Sequence, residues 1–279
     1  MLICFTDLDG TLLNHDDYRY DAAIPVIRQL QAAGVPVIPT TSKTRAEVMG
    51  LRSALGLNAP FIVENGSGIF LEPNDQRFRF TYYGEVDGFK TMQLGVSYAE
   101  ARAGLKAIAQ LIGEPLSGFN DMTLAELQAS TNLSFKDLQL ACNREFSEPF
   151  LRPQTALDQL ETIARRKRFK ILVGNRFCHL LGAGASKGEA VNLIKQAWCE
   201  ANPDRVGDVL TLGLGDSPND ISMLDAVDIP IVVPGVNGAH PELRGRAGYQ
   251  IAPAMGCQGW AAAVTKVMQE VGVPVKLAV

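Results

Sequence analysis

Apolar and polar positions change rhythm twice along this chain and divide it into three stretches. Leu2 to Phe5 is a continuous apolar run, as a short buried strand requires. Asp21 to Ala33 carries Ile24, Ile27 and Leu30 at helical spacing and stops at Gly34. Val35 to Pro39 is β-rich. Thr44 to Leu55 is helical, with Val48, Leu51 and Leu55 on one side and Gly56 as a stop. Pro60 to Val63 reads as a third strand. Such alternation predicts parallel strands joined by right-handed crossovers.

In the middle stretch, Gly68 to Leu71 and Phe78 to Tyr82 read as strands flanking a turn at Pro73-Asn74-Asp75. Glu100 to Ile112 is helical, followed by shorter helical pieces at Leu124 to Leu127 and Phe135 to Ala141. Phe146 to Leu151 is a strand that Pro149 confines to an edge. Leu157 to Arg168 is helical. Lys170 to Val173 and Phe177 to Leu181 flank Gly174-Asn175, a strong hairpin signal.

Alternation then returns. Ser186 and Glu189 have capping-box spacing and open a helix through Ala197. Val209 to Leu214 is a strand running into Gly215-Asp216. Asn219 to Val227 is a short helix, Ile229 to Val233 a strand and Trp260 to Val271 a closing helix. The expected fold is therefore α/β: a Rossmann-like parallel-sheet core with an inserted α+β module. Residues 1–84 and 186–279 supply the core and 85–185 the insertion. A cleft between the two is a natural substrate site.

The 279 residues are 47% hydrophobic and 20% charged, ample for a core. A net charge of −4 gives no electrostatic case for nucleic acid. The one basic run, Arg165 to Arg168, reads first as a solvated helix end. The five cysteines are scattered and lack a CxxC pair, so neither a disulfide framework nor a zinc site is expected. No apolar window spans a bilayer and no signal peptide is expected, so a cytoplasmic location without membrane partners fits. Nothing in the patterning points to an oligomeric state.

Four constellations carry candidate chemistry. Asp7-x-Asp9-Gly10-Thr11 leaves the first strand at the edge where open parallel sheets bind ligands. Two carboxylates aimed at one point repel, and a hard cation such as Mg²⁺ would offset that. Asp7 could then attack phosphorus, while Asp9 serves as general acid and then base. Two acidic turn residues are the alternative. Thr40-Thr41-Ser42 offers hydroxyls and N–H groups to an anion, or is an ordinary N-cap. Lys187 sits in a first helical turn, where the dipole disfavours a cation. Its charge would serve a transferring phosphoryl group, unless it is a surface lysine. In GLGDSPND, Asp216 ends an apolar strand and Asp220 follows one turn later; both could face one cation, or Asp216 could be an N-cap before Pro218.

In this order the four pieces resemble the haloacid dehalogenase superfamily of phosphotransferases, across the whole chain. TTSKTRAEV, FIVENGSGIF, REFSEPF and GNRFCHLLG further resemble the mannosyl-3-phosphoglycerate phosphatase subfamily. That resemblance implies a small phosphorylated sugar-acid substrate, Mg²⁺ as cofactor and an aspartyl-phosphate intermediate. It implies Asp7 as nucleophile, Asp9 as acid/base, and Ser42 and Lys187 as phosphate ligands, flanked by Thr41 and Lys43. Asp216 would bind the metal with Asp7 and the Asp9 backbone carbonyl, and Asp220 would support it. The inserted module would act as a substrate-reading cap. There Arg144, Arg176 and His179 suit anionic groups, and Glu145 and Glu148, together with Asn65 of the core, suit sugar hydroxyls. A broader sugar-phosphate phosphatase, a phosphomutase and a phosphorylation-dependent regulator are the competing readings.

Overall fold

The structure is a computed structural model describing residues 1–81, 84–131, 133–174 and 177–274. The opening apolar run forms β1 (Leu2–Thr6), every residue of it buried. Its alternating side chains feed two separate cores. Leu2 and Cys4 pack with α1 (Ala23–Ala32) on one face. Ile3 and Phe5 face the other. β2 (Val37–Pro39) and α2 (Arg45–Leu55) follow, with Gly56 in the left-handed conformation that ends the helix.

β3 (Phe61–Val63) departs from the expected parallel order. It pairs antiparallel with β4 (Gly68–Leu71) and touches the β2 edge through one parallel bridge, Thr40 to Ile62. β5 (Gly84–Val86) and β6 (Phe89–Gln93) complete this sheet in the order β3-β4-β6-β5. That hairpin replaces the strand expected at Phe78 to Tyr82. Residues 78–81 form no strand, and Tyr82 lies outside the described residues. Phe78 and Phe80 alternate as a strand would, but the Arg79 N–H donates to the Ala197 carbonyl at 2.8 Å. The segment is held by a helix end, not by a neighbouring strand.

The inserted module contains α3 (Tyr98–Ile112), α4 (Leu124–Thr131), α5 (Phe135–Cys142), β7 (Glu148–Leu151), α6 (Leu157–Arg166), β8 (Phe169–Val173) and β9 (Phe177–Gly182). Its sheet runs β7-β9-β8, all antiparallel, with Pro149 on an edge strand as expected. α3 and α6 cover one face through Leu105, Ile108, Leu160 and Ala164. On the other, Phe177 meets Phe119 edge-on at 4.9 Å. Arg165 and Arg166 end α6 exposed to solvent.

The chain returns to the core with α7 (Lys187–Ala201), β10 (Leu210–Gly215), α8 (Ile221–Leu224), β11 (Ile229–Val232), β12 (Gln250–Ile251) and α9 (Gly256–Glu270). α8 is shorter than the expected Asn219 to Val227. The main sheet is parallel in the order β12-β11-β10-β1-β2. α7 and α8 cover the Ile3 face and α9 the Leu2 face. All five cysteines are free. No helix among the described residues is long and apolar enough to cross a membrane.

Candidate active site

Asp7 follows β1 directly, Thr40 begins the loop after β2, and Asp216 follows β10. Because β1 lies between β10 and β2, the three loops leave the same sheet edge side by side. Lys187 arrives from another direction, as the first residue of α7. Ser186 caps that helix by accepting from the Glu189 N–H.

Lys187 is the centre of the charge arrangement. Its Nζ donates to Asp7 Oδ1 and to Asp220 Oδ1, each at 2.6 Å, and its side chain is 1% exposed. Burial pulls the ammonium towards neutrality, but the Asp220 and Asp7 carboxylates outweigh burial and hold its pKa above the ordinary lysine value. It is therefore not the surface lysine that its sequence position also allowed. Asp220 commits its second oxygen locally, where Oδ2 accepts from the Asp216 and Ser217 N–H groups at 3.1 and 3.2 Å.

Asp7, Asp216 and Asp220 each bring one oxygen within 4.8 Å of the others. Desolvation raises Asp7 well above the usual carboxylate range; Asp220 adds to this and Lys187 opposes it. Asp216 is pushed up to about 7, first by desolvation and then by Asp220. Carboxylates packed this closely in a dry site form an oxygen donor set suited to a hard divalent cation. Gly10 makes the crowding possible. Its φ of 81° disfavours any side chain, and an added Cβ would lie 2.7 Å from Asp216 Oδ2.

Asp9 is engaged outside this carboxylate set. Its Oδ2 pairs with Lys43 Nζ at 3.0 Å, and Oδ1 is shielded from solvent with no partner among the described residues. Burial works against the Lys43 charge, but Asp9 and then Glu47 more than compensate and raise its pKa. Thr44, not the Thr40-Thr41-Ser42 run, caps α2. It accepts from the Glu47 N–H at 3.1 Å and its own N–H donates to Glu47 at 2.8 Å. The three earlier residues form the loop ahead of the helix, where Thr41 Oγ1 accepts from the Lys43 N–H at 3.2 Å.

Asn65, 2% exposed, accepts at Oδ1 from Asn219 Nδ2 at 3.0 Å and so touches the GLGDSPND motif. On the module, the Arg144 guanidinium is spent on backbone: Nη1 donates to Ser42 O at 2.9 Å and Nε to Ala141 O at 3.0 Å. Glu145 accepts from Arg45 at 3.1–3.2 Å. Glu148 is fully buried and accepts from Arg102 Nη1 at 3.3 Å. His179 keeps a partly exposed ring, but its Nδ1 is shielded and unpartnered among the described residues. Desolvation, then the Arg144 charge, push it down to about 3, so the ring is neutral. Arg176 lies outside the described residues.

Glu64 and Arg45 carry no sequence signal of this kind, yet both hold module atoms. A glutamate before Asn-Gly reads as a turn residue, and an arginine opening a helix as a solvated one. Only the long-range contacts distinguish them.

The haloacid dehalogenase-like hydrolase family model matches residues 4–92. The glucosyl-3-phosphoglycerate/mannosyl-3-phosphoglycerate phosphatase of Persephonella marina is 38% identical over 272 residues, covering 97% of this chain and 98% of that protein. The phosphatase of the same name from Methanococcoides burtonii is 33% identical over 260 residues, covering 92% and 94%. A haloalkanoate-superfamily phosphatase structure from Bacteroides thetaiotaomicron shares the fold at a TM-score of 0.68, with 15% identity over 98% of this chain and 96% of that one.

Proposed function

The chain belongs to the haloacid dehalogenase-like hydrolases and is a phosphoric monoester hydrolase; from that premise we propose that it releases phosphate from glucosyl-3-phosphoglycerate and mannosyl-3-phosphoglycerate. The observation that carries the chemistry is the buried Lys187 bridging Asp7 and Asp220 at the carboxyl edge of β1 and β10. The substrate is supported by two relatives named for both sugar esters and matching nearly end to end. The reading widens the mannosyl ester expected from sequence to the pair. An enzyme of this class leaves no place for a purely regulatory phosphoaspartate.

In this mechanism Asp7 attacks phosphorus in line and forms an aspartyl phosphate. Asp9 protonates the departing sugar-acid oxygen, then takes a proton from the water that hydrolyses the intermediate. Lys187 offsets the charge shared by Asp7 and the phosphoryl oxygens, and the Ser42 loop with Thr41 and Lys43 receives those oxygens. Asp7, Asp216 and the Asp9 carbonyl would hold Mg²⁺, with Asp220 supporting the site through Lys187 and the Asp216 N–H, and the ion would supply further charge neutralisation. In this reading residues 85–185 act as the cap over the 1–84 and 186–279 core; the β5–β6 hairpin at the start of that range pairs with β4 of the core, and the cap's own sheet is β7-β9-β8. Asn65 and His179 are the contacts assigned to the sugar acid, together with Arg176. Arg144 and Glu145 already hold core groups, so their assigned part is to seat the cap.

The deciding experiment is Mg²⁺-dependent phosphate release from both sugar esters, hexose monophosphates and sugar bisphosphates. The sugar esters are expected to exceed hexose monophosphates by about 100-fold in kcat/KM, because contacts to the glycerate part that align the ester are lost with substrates lacking it. Faster hexose phosphate hydrolysis would overturn the substrate; isomerised bisphosphate without release would point to a mutase.

The carboxylate cluster makes a second prediction. With Asp216 pushed up to about 7, the folded protein keeps a proton that the unfolded chain releases near pH 4. Stability without metal should therefore fall as pH rises from about 4 to 7. Mg²⁺ at about a hundred times its Kd should raise Tm by roughly 5–10 °C at pH 8 and much less at pH 5, where protons compete. Thermal melts with MgCl₂ or EDTA at the two pH values test this; equal shifts would remove the cluster as the metal site.

A further inference from the structure

The turn Glu64-Asn65-Gly66 adopts positive φ at three successive residues, 48°, 59° and 84°. Two of them are not glycine, so the turn is strained and something must hold it. Its backbone is tied to the Ser42 loop: Glu64 N–H donates to Lys43 O at 3.0 Å and Asn65 N–H to Thr41 O at 2.9 Å. Gly66 fits where an added Cβ would lie 2.1–2.4 Å from the Ser186–Lys187 backbone. Asn65 reaches Asn219. One turn thus touches three of the four catalytic motifs.

From this turn the Glu64 side chain points into the crossing by which the module returns to its sheet. It is fully buried. Oε1 accepts from the Glu145 N–H at 2.8 Å; Oε2 accepts from the Phe146 N–H at 3.2 Å and from Ser147 Oγ at 2.6 Å. Arg144 Nη1 lies 4.0 Å away. Three donors and a nearby cation converge on one carboxyl group and favour its acceptor-only form, against the burial that raises its pKa. Phe146 adds a lock of shape, with its ring filling the space where a Cβ on Gly68 would stand at 2.4 Å.

We propose that Glu64 is a positioning residue for the sugar-acid substrate: it clasps residues 145–147 of the module to the turn shared by the catalytic loops, and so fixes the module's substrate-facing groups against the reacting phosphate. Glu64 acts through these groups and touches no reacting atom. The proposal rests on the phosphatase reading above, and its consequence is a division between substrates. A sugar ester, which spans core and module, needs the clasp; a small phosphomonoester, served by the core alone, does not.

The test compares Glu64→Gln and Ser147→Ala with the wild-type chain on mannosyl-3-phosphoglycerate and p-nitrophenyl phosphate in Mg²⁺, together with amide hydrogen exchange of the free proteins. Glu64→Gln turns an NH₂ towards a backbone N–H. It should lower kcat/KM for the sugar ester by about 10–100-fold, as loss of alignment does, and leave p-nitrophenyl phosphate within about 3-fold. Ser147→Ala removes one donor without altering the carboxylate and should show the same split, smaller. Amides 145 and 146 should exchange about tenfold faster or more in Glu64→Gln, while β1 and β10 amides keep wild-type rates. Parallel loss on both substrates, or unchanged exchange at 145 and 146, would overturn the clasp. A wild-type chain that cleaves p-nitrophenyl phosphate but no sugar ester would refute the substrate reading instead, and the exchange measurement, which needs no substrate, would still decide Glu64.

Discussion

Asp7→Asn should lose phosphate release by roughly four to six orders of magnitude and melt no lower than the wild-type chain without metal at pH 8. Two facts about one residue give the two halves of this result. Asparagine cannot form an acyl phosphate, so the first bond of the mechanism is not made. Yet Asp7 is 5% exposed and sits among carboxylates, with its pKa raised by desolvation and by Asp220. A raised carboxylate pKa means that the folded state disfavours the charge, so removing it relieves a cost at high pH. The asparagine Oδ1 can still accept from Lys187, so the ammonium keeps a partner where it now donates to Asp7 at 2.6 Å. Single-turnover phosphate release and thermal melts on the same preparation check both halves. Activity near wild type would remove Asp7 as nucleophile, and a large fall in Tm would show its charge to be structural.

The site was legible where chemistry coincides with the end of an element. Asp7 and Asp216 stand out because an apolar strand runs into each, and Lys187 because it opens a capped helix. Sequence spacing could not show that Lys187 is buried between two carboxylates that lie 213 positions apart in the chain and meet only through folding.

The less legible parts failed for physical reasons. Phe78 and Phe80 alternate like a strand, but between them the Arg79 N–H donates to Ala197 O near the end of α7. The true hairpin turns at Asp87-Gly88, both at positive φ, a dipeptide signal that apolar periodicity passes over. Arg144 and Glu145 carry charges that suit a substrate, and only the fold reveals that Arg144 already donates to Ser42 O and that Glu145 already pairs with Arg45. Glu64 was hidden most completely, since nothing local announces that a turn glutamate will be buried against donors 81–83 residues away.

Lys187→Ala should reverse the Asp7→Asn pattern by damaging stability and turnover together. The substitution leaves Asp7 and Asp220 buried without their shared cation, at exposures of 8% and 0% for their side chains. Breaking a buried pair by removing one partner costs about 3–5 kcal/mol, which in a chain of this size lowers Tm on the order of 10 °C. The loss should depend on pH in a definite direction. At pH 8 the Asp7 carboxyl must remain charged or take a proton from dilute supply. Near pH 5 a raised Asp7 pKa lets protonation do part of what the ammonium did, so the deficit should shrink. Mg²⁺ should recover part of the stability at pH 8, because a cation held by Asp7 and its neighbours opposes the same repulsion. It should not recover turnover, expected to fall by about 10²–10³-fold, since the lost charge was placed to meet the transferring phosphoryl group. Melts at pH 5 and 8 with and without Mg²⁺, set beside phosphate release at saturating Mg²⁺, separate the two roles. Full recovery of turnover by Mg²⁺ would reduce Lys187 to a structural counterion, and a pH-independent deficit in Tm would mean that packing, not charge, is what the lysine contributes.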